Sequence, residues 1–240
     1  MNLAIKNLAT RQLSPTVTAY YRSGTSDQDA LEEVIDRHAY ARSRFRSGFD
    51  VKAGEMWLDL GANIGAFALY CRLKGARAIC YEPEPTCFSI LEKNAGEDFI
   101  LVNKAVTNRT DNILTFYGSK TPTNHYRSTI IPVGRYQKIG QFYNVHASKM
   151  KGRNLKYDGI KMDIEGSEFG LIDEWLLPET KKLVMEYHIS RDRSWKNLDH
   201  RLRIIKKHFE HVKYPKVLDD YIKLKGDLDI WFDQIVFAWN

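Results

Sequence analysis

The 240-residue sequence has few features that would cross-link or anchor a chain. Its three cysteines, Cys71, Cys80 and Cys87, are odd in number and lack metal-ligand spacing, which argues against a disulfide framework or a zinc site. No segment approaches the roughly 18 uninterrupted apolar residues that a membrane-spanning helix needs. Low-complexity tracts and internal repeats are also absent. These absences predict a soluble chain without a membrane span, in a reducing and therefore cytoplasmic compartment.

The composition is that of a globular protein, with 43% hydrophobic and 28% charged residues. A chain of this size suits one globular unit. Capping residues at Thr25 and Ser26 precede apolar residues at helical spacing, so we expect residues 1–50 to form a helical segment. This segment would pack on a core domain formed by residues 51–240.

Strand-like and helix-like stretches alternate along the core domain. The predicted strands are Met56–Leu60, "RAICYEP", "FILVNKAV", "DGIKMDI" and "KLVMEYHI", and the chain closes with the pair "DYIKLKG" and "DIWFDQIVFAW". "ILTFYG" and "FYNVHA" predict an inserted antiparallel pair around residues 113–147. Alternation of this kind predicts an α/β fold, a doubly wound and mostly parallel seven-stranded sheet with a C-terminal antiparallel hairpin.

A glycine-rich turn, "DLGANIG" at residues 59–65, follows the first of these strands. In a doubly wound sheet, ligands dock beyond the carboxyl ends of the strands, and we expect the amides of this turn to donate to such a ligand. Glu82 follows the next strand about twenty residues later, where a carboxylate can accept both hydroxyls of a ribose. The two features together favour a cofactor that contains a nucleoside.

The turn fits a dinucleotide poorly, because Phe67 occupies the region where a third glycine would admit a pyrophosphate. Asp59 lies directly before the turn, and a carboxylate there suits a cationic ligand better than a diphosphate. S-adenosylmethionine carries an amine and a sulfonium. The C-terminal antiparallel hairpin also favours the class I methyltransferase type of sheet, which is Rossmann-like, over the dinucleotide fold.

Four motifs, "DLGANIGAF", "YEPEP", "KMDIEGSEF" and "MEYH", resemble those of the FkbM family of S-adenosylmethionine-dependent methyltransferases. The resemblance covers roughly residues 20–189 and implies O-methylation of a hydroxyl on a sugar, a glycan or a related natural product. It also implies a cofactor site whose methionine, ribose and adenine parts would contact Asp59, Gly61, Ala62, Asn63, Gly65, Glu82, Pro83, Asn103, Lys104, Ala105 and Asp163.

Methyl transfer to an alcohol calls for a general base, because an alcohol is a poor nucleophile until its proton is removed. Strand alternation places Lys161, Asp163 and Glu165 on one side of "IKMDIEG", and pairs Glu186 with His188 on "VMEYHI". We expect His188 or Glu165 to be the base, Asp163 to lie near the cofactor and Glu186 to orient its neighbours. Lys161 would balance the acids. Such a cluster also suits a divalent cation, but the sequence fixes no ligand spacing and assigns no metal.

Polar residues between the strands of the inserted pair are candidates for binding the acceptor: Asn124, His125 and Ser128. Residues 191–216 contain nine Lys and Arg against three acidic residues and have a helical period, with Trp195, Leu198 and Leu202 on one stripe. This basic helix predicts either a solvated face or a guide for an anionic partner.

Two alternative functions stay open. An RNA ribose 2′-O-methyltransferase would use Lys161, Asp163 and Glu186, although a second catalytic lysine is not evident in the sequence. A non-catalytic module would keep the cofactor pocket without turnover. The oligomeric state is not encoded in any pattern that we can identify.

Overall fold

The computed structural model describes residues 5–41, 49–119, 136–146, 156–172, 180–189, 194–226 and 234–240. Its helices are α1 (Asp27–Leu31), α2 (Ala66–Lys74), α3 (Pro85–Asn94), α4 (Trp195–His208) and α5 (Val217–Lys223). A π-helical turn (Glu32–Asp36) continues α1, and a 3-10 turn spans Ser167–Gly170. The strands are β1 (Leu8–Ser14), β2 (Val17–Arg22), β3 (Met56–Leu60), β4 (Arg77–Tyr81), β5 (Ile100–Val102), β6 (Ala105–Thr107), β7 (Ile113–Ser119), β8 (Tyr136–His146), β9 (Gly159–Met162), β10 (Lys182–Tyr187), β11 (His211–Lys213) and β12 (Gln234–Trp239).

Seven strands form the central sheet in the order β11-β12-β10-β9-β3-β4-β5. The strands from β10 to β5 pair in parallel, whereas β12 runs antiparallel to both of its neighbours. The predicted α/β fold, with a seven-stranded, mostly parallel sheet and a C-terminal antiparallel hairpin, is therefore confirmed. The parallel strands bring their carboxyl ends to one edge, where the candidate site lies.

The sheet is covered on both faces, as alternation along β3 shows. Trp57 packs into the core that contains α2 and α3, whereas Leu58 and Leu60 pack into the core that contains α4 and α5. All three side chains are fully buried. Because successive side chains point to opposite faces, Asp59 lies on the Trp57 side of the sheet, among apolar groups.

The C-terminal hairpin begins earlier in the sequence than expected. Its first strand is β11, and the predicted strand "DYIKLKG" is instead largely the helix α5. Leu218 and Tyr221, one helical turn apart, are buried in α5, and the amide of Leu218 donates to the carbonyl of Pro215. The prediction of a strand at this position is wrong because a short apolar run fits both periods, and tertiary packing selected the helical one.

The basic helix of the sequence is also shorter than residues 191–216, because α4 ends at His208 and β11 follows it. The Ser194 side chain caps its first turn by accepting from the Asn197 amide. The predicted apolar stripe is confirmed, with Leu198, Leu202 and Ile205 buried. Residues 191–193 lie outside the described part of the chain.

The N-terminal segment contains a hairpin that the sequence patterns did not reveal. The expectation of helix throughout residues 1–50 is wrong from Leu8 to Arg22, where β1 and β2 pair antiparallel. Val17 and Ala19 of β2 are buried in the core with α3. The side-chain amide of Asn94, at the end of α3, donates to the carbonyl of Tyr20 and accepts from its amide. These contacts anchor β2 against the end of α3.

A second, three-stranded sheet has the order β6-β8-β7, with β7 antiparallel to β8 in the region where we expected an inserted pair. None of the described helices is long and apolar enough to cross a bilayer.

Candidate active site

A cavity of about 320 Å³ opens at the carboxyl ends of β3, β4, β9 and β10. Eight of the eleven residues predicted to bind the cofactor line it together with all five residues predicted to be catalytic, Asp163 belonging to both sets: Gly61, Ala62, Asn63, Glu82, Pro83, Lys104, Ala105, Lys161, Asp163, Glu165, Glu186 and His188. The structure thus brings two groups of residues, separated by about a hundred positions in the sequence, into one cavity.

Three predicted cofactor residues, Asp59, Gly65 and Asn103, are not among the residues that line this cavity. They support it from behind, as described below. The predicted acceptor-binding residues Asn124, His125 and Ser128 lie outside the described residues.

The glycine-rich turn requires glycine at position 61 because the backbone directly after β9 lies against it. Gly61 has a φ of +81°, and a Cβ built on it would lie 1.8 Å from the carbonyl oxygen of Asp163. Any larger residue would push β9 away from β3 just beyond their last paired residues, Leu60 and Met162. Glycine here maintains the junction between two strands that form the cavity.

The amides of this turn do not have the role that we expected. Gly61 and Ala62 both donate to the carbonyl of Tyr81, at 3.0 and 2.9 Å, and Asn63 donates to Glu82 Oε2 at 2.8 Å. The expectation that these three amides face a ligand is therefore wrong. They instead bind the end of β4 to the end of β3, and so fix the position of Glu82.

Gly65 has a packing role at the start of α2. Its φ is +89°, and a Cβ there would lie 2.7 Å from a methyl carbon of Leu91 on α3. Asn94, which is fully buried, donates to the carbonyl of the preceding residue, Ile64, at 2.6 Å. The glycine allows α2 and α3 to pack closely behind the turn.

Glu82 is a buried carboxylate held by main-chain donors. Its Oε2 accepts from Asn63 and its Oε1 accepts from the amide of Glu84, both at 2.8 Å. Burial raises the pKa of Glu82 to about 7, although the two backbone hydrogen bonds oppose this shift. A carboxylate has about four lone-pair sites, so two acceptor positions stay available towards the cavity.

Asn103 fixes the same strand tip from the next strand along the sheet. Its side-chain amide donates to the carbonyls of Glu82, at 2.8 Å, and Pro83, at 3.2 Å. The following residues, Lys104 and Ala105, reach the cavity. Asn103 thus positions the cofactor-side residues without lining the cavity itself.

A buried ion pair joins β3 and β9. Asp59 and Lys161 are paired residues in the ladder between these strands, and Lys161 Nζ lies 3.2 Å from Asp59 Oδ1. The ammonium donates to the carbonyl of Gly61 at 2.7 Å. Burial opposes the charge on Lys161, but Asp59 and Asp163 outweigh it and raise the pKa. A charged Lys161 would neutralise these acidic neighbours, which is the role predicted for it from the sequence.

Asp163 and Glu186 occupy matching positions at the ends of adjacent strands. Each follows one member of the last ladder pair between β9 and β10, Met162 and Met185. Tyr40 donates its hydroxyl to Asp163 Oδ2 at 2.9 Å, and burial raises the pKa of Tyr40 well above its usual value. Tyr40 is therefore a permanent donor that leaves the other oxygen of Asp163 for other contacts.

His188 is held by a carboxylate that the sequence patterns did not single out. Its Nδ1 lies 2.6 Å from Oε1 of Glu168, a fully buried residue of the 3-10 turn that also accepts from the amides of Gly166 and His188. Burial disfavours charge on His188, but Glu168, Glu165 and Asp163 outweigh it and raise its pKa well above 6.5. Glu168 lies within the quoted motif "KMDIEGSEF", but a buried histidine partner cannot be recognised without the fold.

Glu165 extends into the cavity from a strained position. It is a non-glycine residue with a φ of +52°, followed by Gly166 with a φ of +100°. Its Oε2 lies 3.6 Å from His188 Nε2, and Asp163 Oδ1 lies 3.8 Å from the same nitrogen. Backbone strain of this kind clusters at functional sites.

The N-terminal segment closes one wall of the cavity, which the sequence patterns did not indicate. Asp29, Glu33, Val34 and Tyr40 all line it. Burial, and then the charge of Asp163, raise the pKa of Glu33. Helix α1, the π-helical turn after it and Tyr40 therefore contribute to the site itself.

The cavity is strongly acidic. Seven of the residues that line it are Asp or Glu, against two lysines and one histidine. No arginine is found among these lining residues in the described part of the chain. Such a lining favours a cationic or neutral ligand over a polyanion.

Neither the models of known protein families nor the curated protein sequences match this chain. Solved structures are similar in outline. The precorrin-6y C5,15-methyltransferase of Geobacter metallireducens is 11% identical over 100% of this chain and 98% of its own, with a TM-score of 0.44. The tRNA (uracil-54, C5)-methyltransferase of Pyrococcus abyssi, in complex with S-adenosyl-L-homocysteine, is 11% identical over 97% of this chain and 44% of its own, with a TM-score of 0.45. A chain of a fibrillarin/Nop5p complex is 14% identical over 98% of this chain and 97% of its own, with a TM-score of 0.49.

Proposed function

We propose that this chain is an S-adenosylmethionine-dependent O-methyltransferase that modifies a hydroxyl of a sugar, a glycan or a related polyhydroxylated natural product. The observation that carries the proposal is the convergence of Glu82 and the acidic cluster around His188 in one cavity at the carboxyl ends of the parallel strands. Ligands of open α/β sheets bind at this edge. The motifs that resemble the FkbM family are the same segments that form this cavity.

The residues of the cavity fit the donor. A volume of about 320 Å³ lies within the range of small-molecule sites. The free acceptor positions of Glu82 suit the two hydroxyls of a ribose, and the acidic lining suits a ligand with an amine and a sulfonium. Lys104 and Ala105 would flank the adenine. When bound, S-adenosylmethionine supplies a methyl group on a positively charged sulfur.

The chain's own task is then to hold the acceptor and take its proton. The acceptor oxygen forms a bond to the methyl carbon as the carbon–sulfur bond breaks, and the hydroxyl proton passes to a base. We assign that role to Glu165, whose side chain is 16% exposed at the tip of a turn. The His188 side chain is only 2% exposed and its Nδ1 is occupied by Glu168, so it is better placed to orient Glu165 and Asp163.

The acidic lining supports a neutral acceptor over RNA. A phosphodiester close to seven carboxylates would be repelled, and the lysines and arginines of α4 do not line the cavity. A polyhydroxylated acceptor instead gains hydrogen bonds from the same carboxylates.

The test is incubation with methyl-labelled S-adenosylmethionine and a panel of free sugars, glycans and RNA, read by mass spectrometry. We expect label on a carbohydrate hydroxyl. Label on RNA alone would contradict the acceptor class, and calorimetry without any binding of S-adenosylhomocysteine would contradict the cofactor. Binding without transfer to any acceptor would indicate a non-catalytic module.

A further inference from the structure

Asp163, Glu186 and His188 meet at the ends of β9 and β10 with one ligand atom of each within 4.8 Å of the others. We propose that these three side chains form a binding site for a divalent metal ion. The role that we give this ion, holding the acceptor's oxygen, rests on the proposed function, but the site itself does not.

The separations are close to those that one ion requires. Oxygen and nitrogen ligands lie about 2.0 to 2.2 Å from a divalent metal, so two ligands of one ion are at most about 4.4 Å apart. Asp163 Oδ1 lies 3.8 Å from His188 Nε2, within this limit. Glu186 is half-buried and is the second-last residue of β10, so a small rotation of its carboxylate would complete the set.

His188 is oriented as a metal ligand. Because a carboxylate can only accept, the contact of 2.6 Å between Nδ1 and Glu168 places the hydrogen on Nδ1 and directs Nε2 towards Asp163. Two carboxylates face Nε2, with Glu165 Oε2 at 3.6 Å and Asp163 Oδ1 at 3.8 Å. Metal-bound histidines commonly donate their second ring hydrogen to a carboxylate in this way.

The charge around His188 also calls for a cation. Three carboxylates, those of Asp163, Glu165 and Glu168, lie within 4 Å of the ring nitrogens of a side chain that is 2% exposed. The ammonium of Lys161 is closer to Asp59, at 3.2 Å, than to Asp163, at 3.8 Å. Buried negative charge in excess is costly unless a cation or a metal compensates for it.

The ligand types indicate the class of metal. Two carboxylates favour Mg²⁺, Ca²⁺ or Mn²⁺, whereas an imidazole favours transition metals, so the mixed set suits Mn²⁺ best. Three protein ligands leave coordination positions open, as catalytic metal sites do. An acceptor hydroxyl in such a position would be polarised by the ion, beside the Glu165 carboxylate.

The direct experiment titrates the full chain, stripped with a chelator and desalted, with MnCl₂ alone, while free Mn²⁺ is followed by electron paramagnetic resonance. We expect one saturable site per chain. Glu186→Gln and His188→Asn should each weaken Mn²⁺ binding at least about tenfold, because each removes a ligand. Glu168→Gln should weaken it by about 10- to 100-fold through loss of the histidine's orientation.

Matched controls are Glu97→Gln and His200→Asn, which make the same changes at exposed positions and should leave Mn²⁺ affinity unchanged. Thermal unfolding would show whether His188→Asn, at a buried position, is folded. If His188→Asn does not fold, Glu186→Gln, at a half-buried position, still tests the site. The absence of saturable Mn²⁺ binding to the native chain, or native affinity in folded Glu186→Gln, would overturn the site.

A parallel titration with S-adenosylhomocysteine separates this inference from the proposed function. Cofactor binding without Mn²⁺ binding would leave the methyltransferase proposal in place and remove the metal. Mn²⁺ binding without cofactor binding would leave the metal site in place and remove the methyltransferase proposal. Methyl transfer at full rate in the presence of a chelator would overturn the role of the ion in the reaction.

Discussion

The two sides of the cavity bury carboxylates by different means. On the Glu82 side, one carboxylate is held by two backbone amides, and burial raises its pKa to about 7. On the His188 side, which consists of Asp163, Glu165, Glu168, Glu186 and His188, several carboxylates surround an imidazole ring, and their charges raise its pKa despite burial. This difference agrees with the roles proposed above: fixed main-chain donors position Glu82 for a neutral ribose, and a cluster of charged groups around His188 suits proton transfer.

Gly61 contacts residues of both sides of the cavity, and its replacement should have the largest effect of the substitutions considered, a loss of folding stability. Its amide contacts Tyr81, next to Glu82, and a Cβ there would lie 1.8 Å from Asp163. We expect Gly61→Ala to lower the free energy of unfolding in urea by about 4 kcal/mol or more, the size seen for severe overpacking and strain. The control is Gly54→Ala, with a similar φ of +82° and no atom within 4 Å, which should cost about 1 to 2 kcal/mol. Equal losses in the two variants would mean that the contact with Asp163 does not matter.

Glu165→Gln should affect the His188 side alone. We expect kcat to fall by about 10²- to 10³-fold, because the variant cannot accept the acceptor's proton. The dissociation constant of S-adenosylhomocysteine should stay within about twofold, because Glu82 is untouched. Steady-state kinetics and calorimetry measure the two effects. A similar loss of kcat and of cofactor affinity would show that the two sides do not act separately.

Glu82→Gln should have the opposite pattern. The substitution replaces one charged carboxylate oxygen by an NH₂ group, which cannot accept a hydrogen bond from the backbone amide that it faces. We therefore expect the affinity for the cofactor to fall about tenfold or more. Calorimetry with S-adenosylhomocysteine checks this, with Glu92→Gln on the exposed face of α3 as the control. An unchanged affinity would mean that the ribose binds elsewhere.

The pH dependence of cofactor binding should be the smallest of these effects near neutrality. The ionised form of Glu82 is the one that accepts two hydroxyls, and its pKa of about 7 means that this form is lost as the pH falls through neutrality. We therefore expect affinity for S-adenosylhomocysteine to be constant above about pH 8 and to weaken at lower pH, by up to about tenfold per unit. Glu82→Gln should abolish this slope, and a slope that persists in the variant would assign it to another group.

Much of the fold could be predicted from the sequence because the signals were local. The run Met56–Leu60, followed by glycines, predicts a buried strand and a tight turn, and Glu82 follows the next strand by the same logic. Parallel strands share one edge for their carboxyl ends, so placing Glu82 and Asp163 in one cavity follows from topology. The helical period of α4 was equally clear.

Other features depended on contacts between distant segments. The stretch "DYIKLKG" fits a strand and a helix equally, and only the packing of Leu218 and Tyr221 decides between them. Strand β2 is anchored in part by Asn94, more than seventy residues away. Tyr40 and Glu168 have no local signature, because their importance comes from Asp163 and His188.

The sequence by itself determined the alternation of strands and helices in the central sheet, the glycine-rich turn at residues 59–65 and the identity of the acids that reach the sheet edge. Only the tertiary structure decided where those groups point: the turn's amides towards Tyr81, Lys161 towards Asp59, and His188 Nε2 towards Asp163. The physical reason is that backbone preferences act between near neighbours, whereas burial and charge depend on which distant residues share the same space.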